Sequence, residues 1–217
     1  MLHFYVLDLE TTGLNSQLNE ITEISIIRCS DKVQLTEMVK CDYPERASYD
    51  ALRLTNKTID DLKKGLSKSD VINKVNRFFE QDGQAPNARC IIGHNIISFD
   101  KRFLHNLWGS KDKEFPADLY LDTIKMTQEY LKSPIGQQTQ LIKTATGRTA
   151  VNLHACCDMM KIRKFAEKHS AISDTRNTYL LWNDLIKNKG VDHLPLIKNH
   201  PHRTPKEEDN SEFDAQE

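Results

Sequence analysis

The chain has 217 residues, 38% of them hydrophobic and 28% charged, with a formal net charge of −1. This composition describes a soluble globular protein large enough to hold a core without staples, and no apolar run reaches the roughly 18 residues of a membrane span. The near-neutral balance excludes a broadly basic, histone-like surface, and nothing repeats, so a single α/β domain with a short appendage is the expectation.

Met1 leads straight into the run from Phe4 to Leu7, with neither a basic segment nor a small-residue cleavage site, so no secretory signal is expected. Residues 3–9 fit a buried strand, broken by Gly13. Residues 20–29 and 33–41 are rich in Ile, Val and Thr and predict two more strands, joined by a hairpin turn at Ser30-Asp31-Lys32. Val71, Ile72, Val75, Phe78 and Phe79 recur at helical spacing, which predicts a helix over 67–79. A short fourth strand is expected at 89–93, and then Phe99, Phe103 and Leu107 form the stripe of a helix that Ser98 could cap.

A fifth strand is expected at 119–122 and a helix at 123–131. Residues 133–149, rich in Gly, Gln and Thr, have no period and read as a loop. Helices are expected at 152–160 and 171–186, the second with Ala171, Thr178, Leu181 and Leu185 near one face and Gly190 beyond its end. The main domain is thus placed at 1–190. Residues 191–217 are expected to be a disordered polar tail, punctuated by Pro195, Pro201 and Pro205 and acidic from 198 onward, with six Asp/Glu against three Lys/Arg.

Cysteines 29, 41, 90, 156 and 157 are odd in number and two are adjacent, which suits reduced thiols in a cytoplasmic protein. Without a Cys-x-x-Cys pair or spaced histidines, any metal should be bound by oxygen. Asp8 and Glu10 stand two apart at the end of the first strand, so their side chains share a face. Two carboxylates that close repel one another, and a divalent cation removes the conflict, although most such pairs are solvated surface charges. Asp100 lies in the first turn of a helix, where a negative charge is favourable without further purpose. Asp174 sits on the stripe that should face the core, where an unpaired carboxylate is costly. His169, five residues upstream, reads alone as an ordinary surface or capping histidine.

Taken together, three stretches carry a resemblance: Asp8-Leu9-Glu10-Thr11-Thr12-Gly13; Gly93-His94-Asn95 with Phe99-Asp100 and Phe103-Leu104; and His169-Ser170-Ala171 with Asp174. They resemble the motifs of the DEDDh 3′→5′ exonucleases, a family that includes ribonuclease T and the proofreading subunits of bacterial replicative polymerases. The resemblance spans roughly residues 3–187 in order, and departs from it where Gly93 replaces a common alanine and Thr175 follows Asp174. It implies an α/β, ribonuclease H-like fold, with a mixed five-stranded sheet flanked by helices. It also implies two Mg²⁺ or Mn²⁺ ions held by Asp8, Glu10, Asp100 and Asp174, with Asp8 shared between them and His169 taking a proton from the attacking water. The backbone at Thr11, Thr12 and Gly13 would approach the terminal nucleotide, Leu14 would pack near its base, and Asn95 would support the site. For Thr11 and Thr12 a turn residue bonding its own backbone explains the sequence as well, and for His94 a hydrogen bond within the core explains it better.

The expected activity is release of nucleoside 5′-monophosphates from single-stranded DNA 3′ ends, in proofreading or repair. The alternatives are an exoribonuclease acting on RNA ends or short oligoribonucleotides, and a non-catalytic nucleic-acid-binding module. Candidate partners are single-stranded 3′ ends, a polymerase or a second copy of the chain, and no membrane. Lys161, Arg163, Lys164 and Lys168 could track a phosphate backbone, although charge runs are more often solvated faces. Trp108 and Trp182 fit helix packing better than base stacking.

Overall fold

The computed structural model describes residues 1–109, 114–165 and 170–199. The chain opens with β1 (His3–Thr11), β2 (Ile21–Arg28) and β3 (Gln34–Met38), an antiparallel meander. Two short helices that periodicity did not predict follow, α1 (Tyr49–Thr55) and α2 (Ile59–Leu62). They are set by caps: Ser48 accepts from the Ala51 N–H, and Thr58 forms a reciprocal capping box with Asp61. Next come α3 (Lys68–Glu80), β4 (Arg89–Gly93), α4 (Asp100–Trp108), β5 (Leu119–Asp122) and α5 (Thr123–Lys132). The chain then runs through α6 (Leu153–Met159) and α7 (Ala171–Lys187) to β6 (Lys198–Asn199).

Among the described residues six strands form one mixed sheet, in the order β3-β2-β1-β4-β5-β6. β4 lies parallel to β1 and to β5, and the sheet is covered on both faces. Tyr5, Leu7, Leu9, Ile24 and Ile26 face α3 and α4, packing with Val71, Val75, Phe79, Phe103 and Trp108. Val6, Ile27, Ile92 and Leu121 face the other way and pack with Met126, Cys156, Leu181 and Leu185 of α5, α6 and α7. Alternation along β1 therefore assigns Asp8 and Glu10 to the α7 face. Trp108 is a core residue whose indole N–H donates to Asn76 at 3.1 Å, and Trp182 packs on Phe4.

Three expectations are corrected. The sheet has a sixth strand, because β6 pairs antiparallel with Leu119 and Tyr120 of β5. The folded region therefore runs past residue 190 to Asn199: Val191 is buried, Leu196 and Ile197 pack on the second core, and a 3-10 turn at Leu194–Leu196 turns the chain back to the sheet edge. The polar average of the 191–217 segment hid those apolar residues. Ser98 does not cap α4: the N-cap position is taken by Phe99, which makes no side-chain cap, and the Ser98 and Phe99 N–H groups donate to the Asn95 carbonyl. The expected tail beyond Asn199 lies outside the described residues. All five cysteines are free thiols.

Candidate active site

Asp8 and Glu10 occupy the last turns of pleat on β1 before an irregularity between Glu10 and Thr11 shifts the register with β2. Asp174 faces them from the first turn of α7. That helix comes close because its inner face is made of small residues, Ala171, Thr175 and Thr178, and the Thr175 hydroxyl donates to backbone carbonyls of α7 and β2, those of Ala171 and Ser25. One carboxylate oxygen from each of Asp8, Glu10 and Asp174 lies within 4.8 Å of the others, the only such metal-competent group among the described residues. Asp100, the first residue of α4, is buried, and its charge acts on Asp8 ahead of those of Glu10 and Asp174.

Crowding and dryness set the electrostatics. Burial, then the negative charges of Asp100, Glu10 and Asp174, hold the Asp8 carboxyl well above the usual carboxylate range. Burial, followed by Asp174, pushes Glu10 up to about 7. Burial also lifts Asp100 to about 7, with a further push from Asp122. Three acids that resist ionisation, crowded with Asp174, fit a divalent cation, whose charge would let them ionise without mutual repulsion. Oxygen donors alone suit Mg²⁺ or Mn²⁺.

The remaining expected positions fall around this cluster. Thr11 donates its hydroxyl to the Gly13 carbonyl at 2.8 Å, and the Thr12 hydroxyl accepts from the Glu20 N–H at 2.9 Å, so both side chains are engaged in the turn. A Cβ on Gly13 would sit 2.6 Å from the Asn19 side chain, so the glycine is required by packing within its own loop. Leu14 is 87% exposed beside the cluster's strand end. Asn95 is exposed and left-handed (φ 70°), and its N–H donates to Asp122 at 3.0 Å, which fixes the turn leading to Asp100. His94 is held by hydrogen bonds to the Thr123 hydroxyl (2.8 Å) and to the Val151 carbonyl (2.7 Å), and burial lowers its pKa. His169 lies outside the described residues, as does Lys168 of the basic run; Lys164 of that run pairs with Asp158 at 2.6 Å.

Three residues near the cluster escaped the sequence reading. Glu23 lies directly across from Glu10 in the β1–β2 register, so it shares the metal-facing side of the sheet. Its signal was available, a lone acid inside an Ile-rich strand. Lys57 reaches Glu23 from the α1–α2 turn with its ammonium 2.8 Å away, and no local pattern marks it. His154 in the first turn of α6 places Nε2 3.6 Å from an Asp174 oxygen. The loop at 133–149 contains a 3-10 turn at Gly136–Gln138 and a small hairpin in which Lys143 bridges to Thr149. Its far side joins the site through the His94 bond to Val151.

Comparison with known proteins agrees with this arrangement. The RNase_T family model, described as an exonuclease, matches residues 5–182. The DNA polymerase III PolC-type of Thermotoga petrophila is 28% identical over 204 residues, which cover 90% of this chain and 13% of the polymerase. That of Mycoplasmopsis pulmonis is 25% identical over 190 residues, covering 87% of this chain and 12% of the polymerase. This chain thus spans only a small part of those relatives. Among solved structures, Escherichia coli Exonuclease I in complex with a dT13 oligonucleotide superposes with a TM-score of 0.72 at 17% identity, over 88% of this chain and 42% of that one. Exonuclease I of Methylocaldum szegediense gives a TM-score of 0.69 at 18% identity, over 87% and 41%. At such identity these two speak for the fold.

Proposed function

This chain belongs to the RNase_T exonuclease family, and we propose that it is a cytoplasmic, metal-dependent 3′→5′ exonuclease that releases nucleoside 5′-monophosphates from single-stranded DNA, in proofreading or repair. The observation that carries this reading is the convergence of Asp8, Glu10 and Asp174 within 4.8 Å, with Asp100 buried and its charge acting on Asp8. Bound Mg²⁺ or Mn²⁺ would supply charge stabilisation for the attacking and leaving oxygens of an in-line phosphoryl displacement. Asp8, Glu10 and Asp174 would hold the cation pair together with Asp100, the buried acid that opens α4. His169 would accept the proton of the attacking water, a task suited to a side chain that titrates near neutrality.

The exposed Leu14, on the loop kept tight by Gly13 and Asn19, is the side chain available to pack on a terminal base. Of this stretch, Thr11 and Gly13 would bring backbone close to that nucleotide, while Thr12, whose N–H and carbonyl are bonded to the Glu20 carbonyl and the Ser48 N–H, would shape the loop from within. Asn95 would act by holding the turn that delivers Asp100. Residues 133–152 contain no acid, and Lys143 and Arg148 are exposed on the hairpin rooted beside His94, which suits contact with the phosphates of the strand behind the 3′ end. DNA is favoured over RNA by the PolC-type relatives, which are DNA polymerases.

The test is degradation of matched 5′-labelled single-stranded DNA, RNA and duplex DNA, side by side with Mn²⁺. A ladder shortening from the 3′ end of single-stranded DNA, with nucleoside 5′-monophosphates as products, is expected. Faster loss of RNA would move the substrate to RNA, and binding without degradation of any strand would make the chain a non-catalytic module.

A further inference from the structure

We propose that Lys57 is a positioning residue that holds Glu23 out of the metal cluster and so sets how tightly the cluster binds cations. The inference rests on the metal-site reading above. Glu23 lies opposite Glu10 on the neighbouring strand, so its side chain projects from the same face as Asp8 and Glu10. An unrestrained carboxylate at that place is a further oxygen donor beside a cluster that already crowds four acids. It is restrained: the Lys57 ammonium lies 2.8 Å from Glu23 Oε2 and 3.4 Å from the Thr22 hydroxyl. The two side chains are only 13% and 12% exposed, so solvent screens the pair weakly.

The backbone that carries Lys57 is fixed on both sides. Asn56 ends α1 in the left-handed conformation (φ 52°, ψ 36°), and the Lys57 N–H donates to the Leu52 carbonyl at 3.0 Å. The very next residue, Thr58, opens α2 through its capping box with Asp61. A lysine delivered from a turn pinned by two caps acts as a fixed charge, which is what a clamp on Glu23 needs.

Calorimetric Mn²⁺ titration of the full chain tests this without reference to turnover. Lys57→Met frees Glu23 and removes a nearby positive charge, so Mn²⁺ should bind about fivefold tighter or more. Lys57→Met combined with Glu23→Gln should return to within about twofold of the parent, and Lys57→Arg should stay there. Glu23→Gln alone leaves Lys57 uncompensated and should weaken Mn²⁺ binding several-fold, which decides the matter even if Lys57→Met does not fold. Unchanged or weaker binding by folded Lys57→Met, tightening that survives in the double variant, or undiminished binding by Glu23→Gln would each overturn the clamp. If the parent binds no Mn²⁺, or Asp174→Ala binds it equally well, the metal-site reading itself fails.

Discussion

Raising the pH of the metal-free protein from about 4.5 to 8 should lower its stability, and Mn²⁺ should restore it at the upper end. In the folded chain Glu10 moves from 4.5 to about 7 and Asp100 from 3.8 to about 7, while Asp8 is held well above its usual 3.8. Unfolding returns each to its ordinary value. Between about pH 4 and pH 7 the folded state thus binds more protons than the unfolded state, and its stability falls as pH rises. For Glu10 alone, moving from 4.5 to about 7, the loss is on the order of 3 kcal/mol. Asp82, lowered to about 2 by its Arg89 and Tyr5 partners despite burial, contributes stability that is fully present above 3.8 and so stays constant across this window. His94 and His193, both lowered from 6.5 by burial, oppose the trend below that pH, but they are two groups against three.

In a domain of this size about 3 kcal/mol corresponds to roughly 6–12 °C in melting temperature. Mn²⁺ at a hundred times its dissociation constant would return about 2.7 kcal/mol. Thermal melts in EDTA and in Mn²⁺, at pH 5 and pH 8 and constant ionic strength, give the readout. A metal-free melting temperature that is flat or rises between those pH values would refute the reasoning. So would an equal Mn²⁺ gain at both, since the protonated cluster should bind little.

Asp174→Ala should abolish both Mn²⁺ binding and turnover, whereas His169→Ala should keep Mn²⁺ affinity and lose a factor of roughly 10² to 10⁴ in single-turnover rate. Loss of metal affinity in His169→Ala, or a full rate, would remove the histidine from its assigned role. Gly93→Ala would place a Cβ 2.6 Å from the Ile96 side chain, so it should destabilise the chain by about 1–3 kcal/mol in a denaturant titration, even though alanine is common in the resembling family. Charge reversal of Lys143 and Arg148 on the hairpin should weaken oligonucleotide binding and flatten its dependence on log salt by about 2, measured by fluorescence anisotropy at several salt concentrations.

The strands and long helices were legible because their signals are local. Residues 89–93 and 119–122 coincide with β4 and β5, and the two-residue spacing of Asp8 and Glu10 alone fixes that they share a face. Asp174 was legible as a costly acid on an otherwise small and apolar stripe. What stayed hidden depends on partners distant in sequence. Glu23 matters only through its register opposite Glu10, and Lys57 only through the capped turn that brings it there. The short helices α1 and α2 rest on caps and carry no apolar period long enough to read. β6 is two residues in a polar segment, and its pairing with β5 is invisible to composition. His94 and Thr12 illustrate the reverse case: motif residues whose polar atoms the structure occupies with hydrogen bonds to the fold itself.

Four clustered acids should make this chain a metal-dependent enzyme working from a free 3′ end. Equal amounts of one single-stranded DNA sequence, linear and covalently circular, incubated with the full chain in Mg²⁺ or Mn²⁺ and in EDTA, test it most directly. The linear strand should be shortened only in the presence of metal, and the circle should persist. Cleavage of the circle at a similar rate, or undiminished degradation in EDTA, would contradict it.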